Sequence, residues 1–264
     1  MPRIALGQIE VRWGDPAANL NRALEAVDEA RRRSADIVVL PECLDLGWLA
    51  PEAATQAEPI GGQRTAALKE AARSGCIYVA AGLTERAGDR VYNTAVLIDP
   101  DGTVVLVHRK INELREGQQL YTRGASLATA PTPWGLAGIP ICADNFMESR
   151  ALGEALGWMG VRWLFSPCAW AVPPDDGQSQ DDYLVFWLEP YQHLSKAHNM
   201  TVAAVSSVGT IRGGAWDGWH CIGSSVVMGP DGREAGRAPY GRDAAALVLV
   251  DIPDSGRGED PCRR

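Results

Sequence analysis

Long apolar runs are missing from this 264-residue chain, and so is any excess of positive charge. No run reaches the roughly 20 residues that a helix needs to cross a bilayer. The N-terminus MPRIALGQIE lacks the basic start and apolar stretch of a secretion signal. A membrane partner is therefore not expected, and a cytoplasmic location is. The formal net charge is −8, with no basic stripe interleaved with aromatics, so the surface would repel a phosphate backbone. Nucleic acid is excluded as an expected partner.

Cysteine is present but unpatterned. Cys43, Cys76, Cys142, Cys168, Cys221 and Cys262 fall at irregular intervals with no CxxC pair, so neither a zinc site nor a disulfide framework is signalled. Reduced thiols are the expectation. The four histidines, His108, His193, His198 and His220, lie in no Cys-His protease signature. GxSxG, HExxH, P-loop and GxGxxG patterns are also absent, which leaves serine-hydrolase, metalloprotease and nucleotide chemistry without a signal. Neither a metal nor a cofactor is implied.

What is present is an ordinary globular composition, 46% hydrophobic and 22% charged, enough for a sizeable core. No Pro/Gly/Ser-rich linker divides the chain, so residues 1–253 are expected to form one domain. The stretch Asp254 to Arg264, DSGRGEDPCRR, has a composition that need not pack and reads as a tail.

Strand and helix patterns alternate along the chain. Ile4 to Ile9 reads as a strand, and Asp15-Pro16 starts a helix carrying Leu20, Leu24, Val27 and Ala30 at helical spacing. Strand Ile37 to Leu40, a helix over Arg64 to Ser74 and strand Ile77 to Ala81 follow. Tyr92 to Ile98 and Thr103 to Arg109 are joined by Asp99-Pro100-Asp101-Gly102, a hairpin signal. The second half repeats the plan. It has a helix near Glu148 to Met159, strand Trp163 to Ser166, a long helix near Tyr183 to His198, strand Thr201 to Ser207, and strand Gly223 to Met228 ending in Gly229-Pro230-Asp231-Gly232. Each half offers a mixed sheet with helices on one side, and two such layers would bury their bare faces against each other. The predicted fold is α/β, a four-layer α-β-β-α sandwich with an internal pseudo-two-fold repeat.

Three strand ends carry reactive groups. Ile37 to Leu40 runs into Pro41-Glu42, Val104 to Arg109 into Lys110, and Leu136 to Ile141 into Cys142. A carboxylate, an ammonium and a thiol are a base, a charge stabiliser and a nucleophile. Taken singly, a lysine or glutamate at a strand end is usually solvated. Their contexts say otherwise. IALGQIEVRWGDPAANL, VVLPE, YNTAVLIDPDG followed by HRK, ICADN, LFSPCAW and GSSVVMGPDG occur in order along nearly the whole chain. In this the chain resembles the nitrilase superfamily, the carbon-nitrogen hydrolases that act on amides, N-carbamoyl groups or nitriles.

The resemblance implies the four-layer fold again, and a catalytic triad of Glu42, Lys110 and Cys142. It implies a metal-independent thiol amidohydrolase that passes a small amide or ureido substrate through a Cys142 thioester. Family amidases carry a second glutamate after the lysine, in a stretch like E-x-x-x-F-x-P-G. Here Glu116 to Gly124 reads EGQQLYTRG. Counting back from Gly124, the motif's position falls on Gly117, so Glu116 is one residue away and Glu113 is a rival. Glu116 is the reading preferred. From the nucleophile onward many members of the family read C-Y-D-x-R-F-P-E, whereas this chain reads CADNFME from Cys142 to Glu148, without the bulky neighbour and the arginine. Ala143 and Asp144 are expected to meet substrate, as is Trp170 beyond strand Trp163 to Ser166. The loop Pro173 to Asp182 resembles that of N-carbamoylputrescine amidases, which gives Asp175 a substrate-binding role toward a distal ammonium, although a solvated acidic loop is the plainer reading.

Three rivals remain. A true nitrilase would usually show Cys-Trp-Glu, an acyltransferase would need an amine to outcompete water, and a catalytically silent interaction module would not need all three triad residues. The small and apolar residues of Ala151 to Met159, on the helix after the nucleophile, are expected to pack against a second copy as a homodimer.

Overall fold

Alternation along a strand sends successive side chains to opposite faces, and here it sorts them between two neighbours. The computed structural model describes residues 2–174, 177 and 179–252. Its first half contains β1 (Arg3–Gln8), α1 (Pro16–Arg32), β2 (Ile37–Val39), α2 (Ala53–Gln56), α3 (Gln63–Gly75), β3 (Tyr78–Ala87), β4 (Arg90–Ile98) and β5 (Val104–Arg109). The second contains β6 (Ala130–Thr132), β7 (Gly135–Gly138), α4 (Arg150–Trp158), β8 (Val161–Cys168), β9 (Ala171–Val172), α5 (Gln180–His198) and β10 (Thr201–Ser206). It closes with β11 (Val208–Thr210), β12 (His220–Ile222), β13 (Val226–Met228), β14 (Glu234–Arg237) and β15 (Ala246–Asp251).

One six-stranded sheet has the order β15-β1-β2-β3-β4-β5, the other β14-β13-β10-β8-β7-β6. Read from β15 and from β6, the pairings run alike: antiparallel, parallel, parallel, antiparallel, antiparallel. The pseudo-repeat therefore sets β1, β2 and β3 against β7, β8 and β10. In the same way α1 and α3 correspond to α4 and α5, and the Pro-Asp-Gly hairpin β4-β5 corresponds to β13-β14. A three-stranded sheet, β11-β12-β9, was not expected.

Ile4 and Leu6, Ile37 and Val39, and Ala95 and Leu97 join a core with Trp163, Phe165 and Val202 of the facing sheet. The alternate residues Ala5, Val38, Leu40, Val96 and Ile98 join Ala23, Val27, Leu68 and Ala72 of α1 and α3 instead. On the other side Leu156 of α4 and Leu194 of α5 pack on the second sheet. The result is the four-layer α-β-β-α sandwich. Helix α1 begins as the sequence says, with Asp15 accepting from Ala18 N–H and Pro16 in the first turn.

Cys43, Cys142, Cys168 and Cys221 are free thiols, whereas Cys76 is disulfide-bonded, a departure from the all-reduced expectation. Residues 254–264, read as a tail, lie outside the described residues. Among the described residues no helix is long and apolar enough to cross a membrane.

Candidate active site

The segment after β2 carries Glu42 across from one sheet to the other. Leu40 N–H donates to Ala80 O at 2.8 Å and Leu44 N–H to Gly82 O at 2.9 Å, while Glu42 N–H donates to Cys168 O at 3.2 Å, at the end of β8. Gly82 in β3 permits this close approach, since a Cβ there would lie 2.5 Å from Glu42 Cα. After β5, Lys110 N–H donates to Asn93 O at 2.9 Å and Lys110 O accepts from Gly124 N–H at 2.7 Å, so the lysine backbone is clamped on both sides.

The three expected residues meet. Lys110 Nζ donates to Glu42 Oε1 at 2.6 Å, and Asn93 Nδ2 donates to the same oxygen at 2.6 Å. Glu42, Lys110 and Cys142 line one cavity of about 160 Å³. All three are buried. A buried ion pair is a weak source of stability, because desolvation offsets most of its attraction. Such a pair in a cleft beside a thiol is better explained by chemistry.

Cys142 opens a 3-10 turn, Cys142–Asn145, with φ 44°. That left-handed backbone in a residue with a Cβ costs on the order of 1–3 kcal/mol and persists only where its surroundings hold it. Here Cys142 N–H donates to Ser166 Oγ at 3.3 Å, and Asn145 Nδ2 donates to Ser166 Oγ at 2.9 Å and to Cys142 O at 3.3 Å. Burial pushes the Cys142 thiol up, the contact with Cys168 and the Glu42 charge push the same way, and Lys110 opposes them. The resting group is a thiol, which needs a base to become a nucleophile. The Ala143 N–H, among the first donors of the turn, has no backbone partner among the described residues.

A second carboxylate stands beside the pair, and it belongs to Glu113. Its Oε1 lies 3.8 Å from Lys110 Nζ and accepts from Trp48 Nε1 at 2.9 Å, and its Oε2 is 3.4 Å from Asn93 Nδ2. Glu116 makes none of these contacts. It lies half-buried just before the 3-10 turn Gly117–Gln119, so the preferred reading is replaced by its rival. The reason is steric. A Cβ on Gly117 would sit 2.2 Å from Glu113 Oε1, so the position that the motif marks is empty and the carboxylate four residues earlier fills the space.

Two carboxylates share one ammonium, and the imbalance shows. Burial raises the Glu113 carboxyl, Lys110 lowers it and Glu42 raises it, to about 7. Burial alone would lower the Lys110 pKa, but Glu113 and Glu42 outweigh it and hold the ammonium well above its ordinary value.

Ala143 and Asp144, expected at the substrate, do not bring their side chains to the cavity. Asp144 is fully buried and engaged on both oxygens. Oδ1 accepts from Ile111 and Asn112 N–H at 3.0 and 2.7 Å, and Oδ2 from His108 Nε2 and Ile141 N–H at 2.8 and 3.0 Å. It pins the turn that Cys142 opens to the segment that carries Lys110. Trp170 does line the cavity. Asp175 lies outside the described residues.

Sequence reasoning missed Asn93 and several cavity walls: Trp48, Phe146, Tyr183, Trp187 and Trp216. Tyr183 and Trp187 stand one turn apart on α5, which was a usable signal. Among the described residues no group of three or more His, Cys, Asp or Glu could hold a metal ion.

Four layers, with a carboxylate, an ammonium and a thiol around one cavity at the strand ends, define a class. The chain belongs to the carbon-nitrogen hydrolase family of the nitrilase superfamily, whose sequence profile matches residues 3–259. It is 28% identical to omega-amidase NIT2 of Homo sapiens over 261 residues, 95% of this chain and 88% of that protein. The omega-amidases of Mus musculus and Danio rerio are 33% and 35% identical over 178 and 179 residues, and these matches span only 63% of each relative's length. An amidase from Nesterenkonia sp. superposes with a TM-score of 0.79 at 22% identity, over 97% of this chain and 94% of that one. A carbon-nitrogen hydrolase from Helicobacter pylori gives 0.83 at 18% identity, over 96% and 89%. At these identities the two structures speak for the fold.

Proposed function

We propose that the chain hydrolyses the C–N bond of a small amide or N-carbamoyl compound through a thioester on Cys142. The observation that carries this reading is the buried 2.6 Å contact between Glu42 and Lys110 on the wall of the cavity that holds the Cys142 thiol. Glu42 takes the thiol proton as the sulfur attacks the carbonyl carbon. The oxyanion that forms is met by the Lys110 ammonium and the Ala143 N–H, donors of a kind worth roughly 3 kcal/mol each in other enzymes. Glu42 then gives its proton to the departing nitrogen, and ammonia or an amine leaves. Water attacks the thioester with Glu42 again as base, which returns the thiol and releases the acid.

Glu113 supports this cycle as a second carboxylate that holds Lys110 charged and in place. The curated relatives named omega-amidase support the same reaction class. The test is ammonia release from a panel of amides, ureido compounds and nitriles. Turnover of an amide or ureido compound is expected, while release from nitriles alone, or from none, would overturn the reading.

We also propose a homodimer built across α4. Trp158 is 84% exposed at the end of that helix and Met159 follows it at 44%, an apolar corner that a monomer gains nothing by showing. Light scattering should return twice the chain mass at micromolar concentration, and a monomer there would refute the dimer.

A further inference from the structure

The walls of the cavity say what the acyl group must be. Beyond the reacting end, the lining is rings and small apolar side chains. Trp170 and Trp187 stack with centroids 4.8 Å apart, and Phe146 packs on Trp187 at 4.9 Å and on Phe186 at 5.0 Å. From other loops Trp48 and Trp216 add an edge-to-face pair at 4.8 Å. Leu114, Ala169 and Ala171 fill the gaps.

Charge is confined to one place. Among the described lining residues the only ionic side chains are Glu42 and Lys110, and they are bonded to each other at 2.6 Å. Arg109, the nearest other cation along the chain, is turned away into a pair with Glu85 at 2.6 Å. Among the described lining residues no cation is left to receive a distal carboxylate, and no carboxylate is left for a distal ammonium. Burying either charge without a partner is severely unfavourable, whereas an apolar group gains with every Å² covered. The size also constrains the group. A cavity of about 160 Å³ is close to the roughly 150 Å³ apolar cavity that accepts benzene.

Resting on the amidase reading above, we propose that the substrate is the amide of an uncharged, apolar acid of about phenyl size, held between the ring of Trp187 and its neighbours. The acyl ring or branched chain lies among the aromatic walls while its carbonyl meets Cys142, Lys110 and Ala143 N–H. Its amide nitrogen leaves on the Glu42 side with one proton from that carboxyl, and water supplies the oxygen and proton that complete the acid and the thiol.

The test compares amides of matched length: hexanamide, 5-aminopentanamide and 4-carbamoylbutanoate, with phenylacetamide and acetamide as the large and small neutral probes. Ammonia release should give hexanamide a kcat/KM at least 100-fold above both charged analogues, and phenylacetamide at least 10-fold above acetamide. Trp187→Ala should lower the ratio of phenylacetamide to acetamide about 10-fold, and Trp216→Ala, on a different loop, should lower it in the same direction. A ratio compares two substrates on one preparation, so partial misfolding does not imitate the effect. Equal rates for the neutral and charged analogues, or a preference for either charged one, would overturn the proposal while leaving the amidase reading intact. No ammonia from any of the five would overturn the proposal as well, and it would remove the amidase reading only if ureido compounds also released none.

Discussion

Glu113→Gln should lower kcat/KM by about 10²–10³-fold, and Gly117→Ala should come close to that loss without removing any charged group. The first change keeps the shape and deletes the charge that helps hold Lys110 as an ammonium, with Nζ 3.8 Å from Glu113 Oε1. The second puts a methyl group 2.2 Å from that same oxygen, which must then leave its bond to Trp48 Nε1. Position 117 is where the family motif would carry its own glutamate. The double variant Glu113→Ala with Gly117→Glu should therefore recover at least tenfold over Glu113→Ala alone. Wild-type kinetics in Gly117→Ala would show that the space is not constrained.

The same residue sets a pH signature. Its carboxyl is raised to about 7 in the folded protein, so between its unfolded value near 4.5 and about 7 the folded state holds the proton that the unfolded state has released. Stability from this group is full below about 4.5 and is lost as pH rises through about 7. Tm should fall across that window more steeply in wild type than in Glu113→Gln. Parallel profiles would contradict the assignment.

Asp144→Ala should cost the fold about 3 kcal/mol or more, and Asp144→Asn should lower kcat by about 100-fold. Four donors converge on this fully buried carboxylate, from His108, Ile111, Asn112 and Ile141. Leaving buried donors unmet costs about 1–3 kcal/mol each. Burial works against the Asp144 charge, but His108 and the backbone N–H groups outweigh it and hold the carboxyl below its usual range. An asparagine keeps the outline yet turns an NH2 toward two of the donors. The turn that holds Cys142 at φ 44° would then relax away from Lys110. Denaturant midpoints and steady-state kinetics check both effects, and an Asp144→Asn enzyme with unchanged kcat and midpoint would remove the clamp from the account.

Much of this was legible beforehand because it rests on local rules. The alternation of Ile4, Leu6, Ile37 and Val39 against Ala5, Val38 and Leu40 marks two-sided burial. The Pro-Asp-Gly turns fix two hairpins, and their repetition gives the pseudo-symmetry. Glu42, Lys110 and Cys142 stood out because each follows a strand. The second glutamate did not, because counting back from Gly124 assumes constant spacing, and the 3-10 turn at Gly117 breaks it. A glycine at the marked position with Glu113 four residues before it was the available clue. Asp144 was assigned to substrate because it follows the nucleophile, and only the converging backbone N–H groups reveal its structural work. The aromatic walls come from separated loops and from α5, so their meeting depends on tertiary packing that no local pattern records. The Cys76 disulfide had no spacing signal either.

The central claim is that the Cys142 thiol carries the acyl group. Mixing the enzyme with a slowly hydrolysed amide, quenching in acid and recording the intact mass should show one added acyl group, and peptide mapping should place it on Cys142. Cys142→Ala should show neither the adduct nor ammonia release while unfolding at the wild-type midpoint. An adduct mapped to Cys43, Cys168 or Cys221, or ammonia released by Cys142→Ala, would contradict the account.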